Sequence, residues 1–143
     1  MARFRYQLRR FLVFSENAAR EAGIEPQQHQ LLLSLKGLED GERPTVGTLA
    51  ERLQLRHHTT VGLVDRLAKK KLVKRQRSEH DGREILIAVT AAGEKLLEAL
   101  AQTHQREMRS AGPTLVEALT ALLESSRPAK RPLGATKRRA RLG

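Results

Sequence analysis

The sequence predicts a mainly α-helical chain with a small β wing, and three observations carry that prediction. Residues 45–70 hold two short amphipathic runs, too close together to bury both apolar faces without a sharp turn between them. Beyond Val73 the alternation changes to period two on either side of an Asp81-Gly82 turn signal. Helical periodicity fills the segments before and after. Together these spell a helix-turn-helix followed by a wing, set between long flanking helices.

The first helix is expected over residues 3–22. Phe4, Leu8, Phe11, Leu12, Ser15, Ala18, Ala19 and Ala22 follow the spacing of one helical face, and all four aromatics (Phe4, Tyr6, Phe11, Phe14) lie in its first half. So large an apolar load at a chain end packs on its own domain, lines a ligand box, or packs against a second subunit. The last is favoured, because aromatics dominate interface energetics. Gly23 ends this helix, and Pro26 opens the next at its first-turn position. Leu31, Leu32, Leu35 and Leu38 give the second helix a buried face, Gly37 lies near its end, and residues 39–44 form a polar connector.

Thr45 is a fair N-cap for a third helix with Val46, Leu49, Ala50 and Leu53 on its inner side. In the fourth, Thr60, Leu63, Val64 and Leu67 fall within about 100° of arc, which marks the core side. The opposite side carries His58, Gly62, Asp65 and Lys69, flanked by Val61 and Arg66, with His57 and Thr59 in the first turn. An imidazole can donate to or accept from a base edge, and a Thr or Val methyl can touch a thymine methyl. His57, His58, Thr59 and Val61 are therefore the expected base-edge contacts of a helix in a major groove. Gly62 would allow close approach; the plainer alternative makes it a mild helix defect beside solvated histidines. Arg56 stands at the N-cap position, where it caps poorly.

Lys74 to Arg77 form one wing arm, and Ile85, Ile87 and Val89 the apolar face of the other. From the tip between them Arg83 can enter a minor groove, where concentrated negative potential favours a guanidinium. Asp81 is expected to steady Arg83 by a charge-assisted hydrogen bond, or else the two form an ordinary solvated turn pair of little worth. From Ala91 a helix with Leu96, Leu97, Leu100 and His104 on its inner side is expected to run to about Met108. Ser110-Ala111-Gly112-Pro113 should interrupt it, with Pro113 opening a last helix that bears Leu115, Val116, Leu119, Leu122 and Leu123. Pairing of that helix with the first helix of a second chain makes Phe4, Leu8, Phe11, Leu115, Leu119 and Leu122 the expected dimer interface.

By length this is one domain, residues 1–125, with a DNA-binding lobe over 45–90, dimerisation helices over 3–22 and 91–124, and a tail over 126–143. The net charge of +11 is unevenly placed. The tail holds seven Lys/Arg and no acid, and residues 52–83 hold ten against three acids, so the rest of the chain is net negative. A polyanion-binding surface requires such concentration. Arg52, Arg66, Lys69, Lys70, Arg75 and Arg77 are the expected phosphate contacts, which fix register without reading sequence. The tail's composition predicts disorder when free, either adding phosphate contacts or serving as a solubilising extension.

Cysteine is absent, which excludes a disulfide frame and a thiol redox switch. No apolar run approaches membrane-spanning length and no signal-peptide pattern opens the chain, so a cytoplasmic, nucleoid-associated protein is expected. No nucleophile elbow, phosphate-binding Gly loop or metal motif occurs, so neither enzymatic activity nor a cofactor is expected. A zinc site would need His29 or His104 beside Glu21, Glu25 or Glu107, without tight ligand spacing, and no metal is expected.

Leu49-Ala50-Glu51-Arg52-Leu53, Val64-Asp65-Arg66-Leu67, Leu72-Val73, the wing pattern Asp81-x-Arg83 followed by Ile87-x-Val89-Thr90, and Thr90-Ala91-Ala92-Gly93 occur in this order and spacing. In these motifs the chain resembles the winged helix-turn-helix of the MarR family, the multiple-antibiotic-resistance regulators, over about residues 3–124. The resemblance implies a homodimeric DNA-binding transcriptional regulator with wing roles for Arg83 and Asp81, first and last helices in the dimer region, and a short strand at Thr45-Val46 pairing onto the wing. It further implies a repressor of a pseudo-palindromic operator, released by a small aromatic effector in a cleft that Phe11, Phe14, His29 and His104 would line if their helices pack together. The rival from another class is an architectural or nonspecific nucleic-acid binder in which the basic tail dominates.

Overall fold

The computed structural model describes residues 1–128; residues 129–143, and with them most of the expected basic tail, lie outside the described residues. The order is α1 (Ala2–Glu21), α2 (Pro26–Lys36), α3 (Val46–Leu53), α4 (His57–Lys69), β1 (Val73–Arg77), β2 (Ile85–Val89) and α5 (Ala91–Ser125). The element starts follow from local chemistry. Glu25 and Gln28 cap the start of α2 reciprocally, with Pro26 at its first turn. The Thr45 hydroxyl accepts the Thr48 N–H at 3.2 Å, and the Thr90 hydroxyl accepts the Gly93 N–H at 3.1 Å. Arg56 caps α4 with no side-chain hydrogen bond, as its chemistry requires.

The core lies where the helix-turn-helix meets α2 and the wing. Leu31, Leu32, Leu49, Leu63, Val64, Leu67 and Ile87 are its largest fully buried apolar side chains. Thr60 is buried with them because its hydroxyl donates to the Arg56 carbonyl at 3.0 Å, which removes the cost of an unpaired polar group. The turn between α3 and α4 closes through Gln54 in the left-handed region (φ 54°), and Leu55 N donates to Ala50 O. β1 and β2 pair antiparallel from Val73↔Val89 to Arg77↔Ile85.

Two expectations are corrected. The chain does not break at 110–113: α5 is one helix of 35 residues with Pro113 inside it. Pro113 forfeits one helical hydrogen bond, and packing of α5 along α1 holds the helix through that point. The two run antiparallel, with Arg3 bonded to Glu117 at 3.1 Å and Ser15 to His104 at 2.8 Å. Nor is there a strand at Thr45-Val46, because those residues already cap and begin α3. A single bond, Ile87 N to Pro44 O at 2.7 Å, joins that segment to the wing.

Candidate nucleic-acid interface

With Thr60, Leu63, Val64 and Leu67 buried, α4 turns its other side outward. His57 and His58 are exposed, and Thr59, Val61 and Gly62 are half-buried. Gly62 does not face empty space. A Cβ there would stand 3.7 Å from the Arg66 guanidinium, which folds back across this helical turn. Asp65, Arg66 and Lys69 continue the same surface toward the wing.

The six expected phosphate contacts are not equally free. Arg52 pairs with Glu42, and Arg75 with Asp65 across the gap between β1 and α4. Lys70 turns back to the body: its ammonium donates to Gly23 O and Gln28 Oε1, both at 3.0 Å, so it braces the loop before α2. Arg77 donates to Gly82 O at 3.2 Å. Arg66 and Lys69 are exposed on α4. The carboxyl of Glu42 is held below its usual range by the Glu39 N–H and by Arg52.

At the wing tip the Asp81 carboxylate accepts the backbone N–H of Arg83 at 3.0 Å. The expected bond to the guanidinium is thereby corrected to an Asx turn, in which the carboxylate shapes the backbone and leaves the Arg83 side chain pointing from an exposed loop. The base of the loop carries contacts that no local pattern signals. Ser78 is buried, and Arg43 from the α2–α3 connector donates to its hydroxyl at 2.8 Å while pairing with Glu84.

The four residues expected around an effector cleft do come together, in the body of the molecule. The His104 ring lies 6.0 Å from Phe11, 5.8 Å from Phe14 and 5.4 Å from His29. Its Nδ1 donates to Leu100 O at 2.6 Å, and its Nε2 shares a hydrogen bond with the Ser15 hydroxyl at 2.8 Å. His29 is buried, and that desolvation, with repulsion from His104, holds its pKa below the ordinary imidazole value. A groove of about 600 Å³ opens beside Phe11 and Phe14, between α1 and α5, and Tyr6, Arg9, Arg10 and Glu107 also line it. The two histidines are part of the packed interior rather than of that groove. Both ring nitrogens of His104 are occupied, and among the described residues no His, Asp and Glu side chains converge as a metal site. No described helix is long and apolar enough to cross a membrane.

Of the expected interface residues, Phe4, Leu8, Phe11, Leu115 and Leu122 are half-buried within the chain, and Leu119 is exposed. The apolar side chains left open on these helices are Tyr6, Leu12, Val13, Val116, Leu119 and Leu123. On α5 the open residues thus share Leu119 with the expected set and add Val116 and Leu123 beside it.

Residues 22–84 match the sequence model of the MarR family. No curated protein matches the chain. Among solved structures, the S. aureus MepR–DNA complex is 25% identical with a TM-score of 0.64, over 89% of this chain and 100% of that one. A probable transcriptional regulator from Pseudomonas aeruginosa is 26% identical with a TM-score of 0.61, over 85% and 91%. MepR, a transcription regulator of the S. aureus multidrug efflux pump MepA, shares the fold at 22% identity, with a TM-score of 0.73 over 87% and 96%. The matched segment spans the helix-turn-helix and most of the wing, and α1 and α5 complete the same architecture. Over residues 22–84 the chain is similar to the MarR family, and as a whole it has the winged helix fold of these transcription regulators.

Proposed function

We propose that the protein represses transcription by binding a pseudo-palindromic operator as a homodimer. The observation that carries this reading is the outward face of α4, where His57, His58, Thr59 and Val61 stand on a core-anchored helix beside Arg66, Lys69 and the exposed Arg83 of the wing. In that arrangement α4 enters a major groove, the basic side chains hold phosphates, and Arg83 reaches the neighbouring minor groove. Arg66 and Lys69 are the first phosphate ligands. Arg52 and Arg75 exchange a carboxylate for a phosphate on binding, and Arg77 follows from the wing strand. The MepR–DNA complex, with the same fold at 25% identity, supports the DNA-bound role. A regulator of this kind works on the nucleoid, in the cytoplasm.

The unpaired apolar stripe of α1 and α5 supports twofold association, because Leu12, Val13, Val116 and Leu123 are each more than 40% exposed in the single chain. The groove beside Phe11 and Phe14 suits a small aromatic anion: its walls are aromatic, and the Arg10 guanidinium lies 5.9 Å from the Tyr6 ring. An aromatic acid bound there would alter the packing of α1 on α5 and so the spacing of the two α4 helices.

Selection of bound duplexes from a random pool tests the reading, run with and without aromatic carboxylic acids. The expected product is an inverted repeat with half-sites about 10 base pairs apart, depleted when the effective acid is present. Enrichment of no sequence would point instead to a nonspecific binder and contradict the proposal.

A further inference from the structure

The wing tip is a closed loop hung on one hydroxyl. Ser78 is 5% exposed, and its Oγ accepts the N–H groups of His80 at 3.2 Å and Asp81 at 3.4 Å. Ser78 N donates to Glu84 O at 2.9 Å, and Glu84 N to Asp81 O at 3.0 Å, so both ends of the loop are tied together. Among the described residues, only the connector between α2 and α3 bonds to this loop from the body: the Arg43 Nη2 donates to Ser78 Oγ at 2.8 Å, and its Nε pairs with the Glu84 carboxylate. Pro44 adds the bond from Ile87 N on β2. One planar guanidinium therefore grips the first and last residues of the loop at once, a two-pronged geometry that an ammonium does not reproduce. Glu84 is the immediate neighbour of Arg83.

We propose that Arg43 is a positioning residue for DNA recognition: by clamping Ser78 to Glu84 it sets the angle at which the wing offers Arg83 to the minor groove. The inference rests on the reading of Arg83 given above. The Arg43 and Glu84 side chains are 44% and 27% exposed, and such pairs add little to stability. The clamp's effect is on orientation, so its loss should be felt in recognition rather than in folding.

The test uses the full chain and the selected operator, with the flanks contacted by the wing built either as A·T tracts, which narrow the minor groove, or as G·C. Wild type should prefer A·T flanks on the order of tenfold, the worth of one charge-assisted hydrogen bond. Arg83→Ala should abolish that preference. Arg43→Ala should remove most of it, Arg43→Lys should fail to restore it, and the double variant should lose no more than Arg83→Ala alone. Preference among central base pairs, read by α4, should survive in Arg43→Ala, and the melting temperature should stay close to wild type. If Arg43→Ala keeps the flank preference while Arg83→Ala loses it, the inference is overturned and the wing reading stands. If Arg43→Ala loses central and flank preference alike, the role is merely structural and the inference is overturned too. If Arg83→Ala changes nothing, the wing reading fails and takes the inference with it.

Discussion

At the scale of single residues, two positions separate recognition from stability. Gly62 is a helix-interior glycine with room for a methyl group, since an added Cβ would meet only the mobile end of Arg66 at an ordinary 3.7 Å. Gly62→Ala should therefore stabilise the fold by about 1 kcal/mol through helix propensity. It should also weaken operator binding if this face lies against DNA. Thermal melting and operator titration on the same variant check both signs, and tighter or unchanged binding would return Gly62 to a simple helix defect. His29 gives the pH dependence. Its folded pKa is lowered, so at mildly acidic pH the unfolded chain binds a proton that the folded chain does not. Stability should rise with pH until about 6.5, the unfolded imidazole value, and this residue's contribution should be level above it. Melting temperatures at pH 5 and pH 7.5 should differ, and His29→Leu should shrink that difference. An unchanged slope in the variant would assign the dependence to other groups.

At the scale of elements, periodicity made most of the architecture legible, and contacts between distant segments account for the misses. Thr60, Leu63, Val64 and Leu67 could be assigned inward because one helical face is a local property. The continuity of α5 through Pro113 could not be foreseen, since what holds it is the length of α1 alongside. Arg43 and Ser78 are 35 residues apart, and nothing in either segment announces the other. Lys70 is among the expected phosphate contacts, yet its side chain is turned to the body, and the neighbouring Lys71 matters through its backbone. The Lys70 ammonium holds Gly23 and Gln28, while Lys71 turns the chain from α4 into the wing with φ at +60°. The same turn docks on the start of α5: Thr90 donates to Lys71 O at 2.7 Å, and a Cβ on Gly93 would lie 2.3 Å from Leu72 O. A left-handed lysine costs about 1 kcal/mol or more relative to glycine. Lys71→Gly should accordingly raise stability by about that amount in denaturant titration, with operator preference intact. A loss of stability would show that the lysine side chain contributes more than its backbone strain costs.

At the scale of the whole molecule, the positive charge is gathered on one face. Residues 52–83 carry a net positive charge, and they fold into the face that presents α4 and the wing. Their carboxylates are not idle: Asp65 holds Arg75, and Glu42 from the connector holds Arg52. Exposed pairs of this kind exchange readily for phosphate, so binding should weaken steeply with added salt. The sequence located this surface through charge clustering and helical phase. Which of the apolar residues of α5 stay open is not legible locally, because the side of that helix that α1 covers is set by tertiary packing: Val116, Leu119 and Leu123 are exposed, while Leu115 and Leu122 are half-buried. The central claim is that bases are read by α4 and the wing together, with phosphates supplying grip. It is tested most directly by the ratio of affinities for the selected operator and a scrambled duplex, at one salt concentration, in wild type and in the His58→Ala, Arg83→Ala double variant. The ratio should fall by at least about tenfold per lost contact, while affinity for the scrambled duplex changes far less; a ratio equal to wild type would contradict the account.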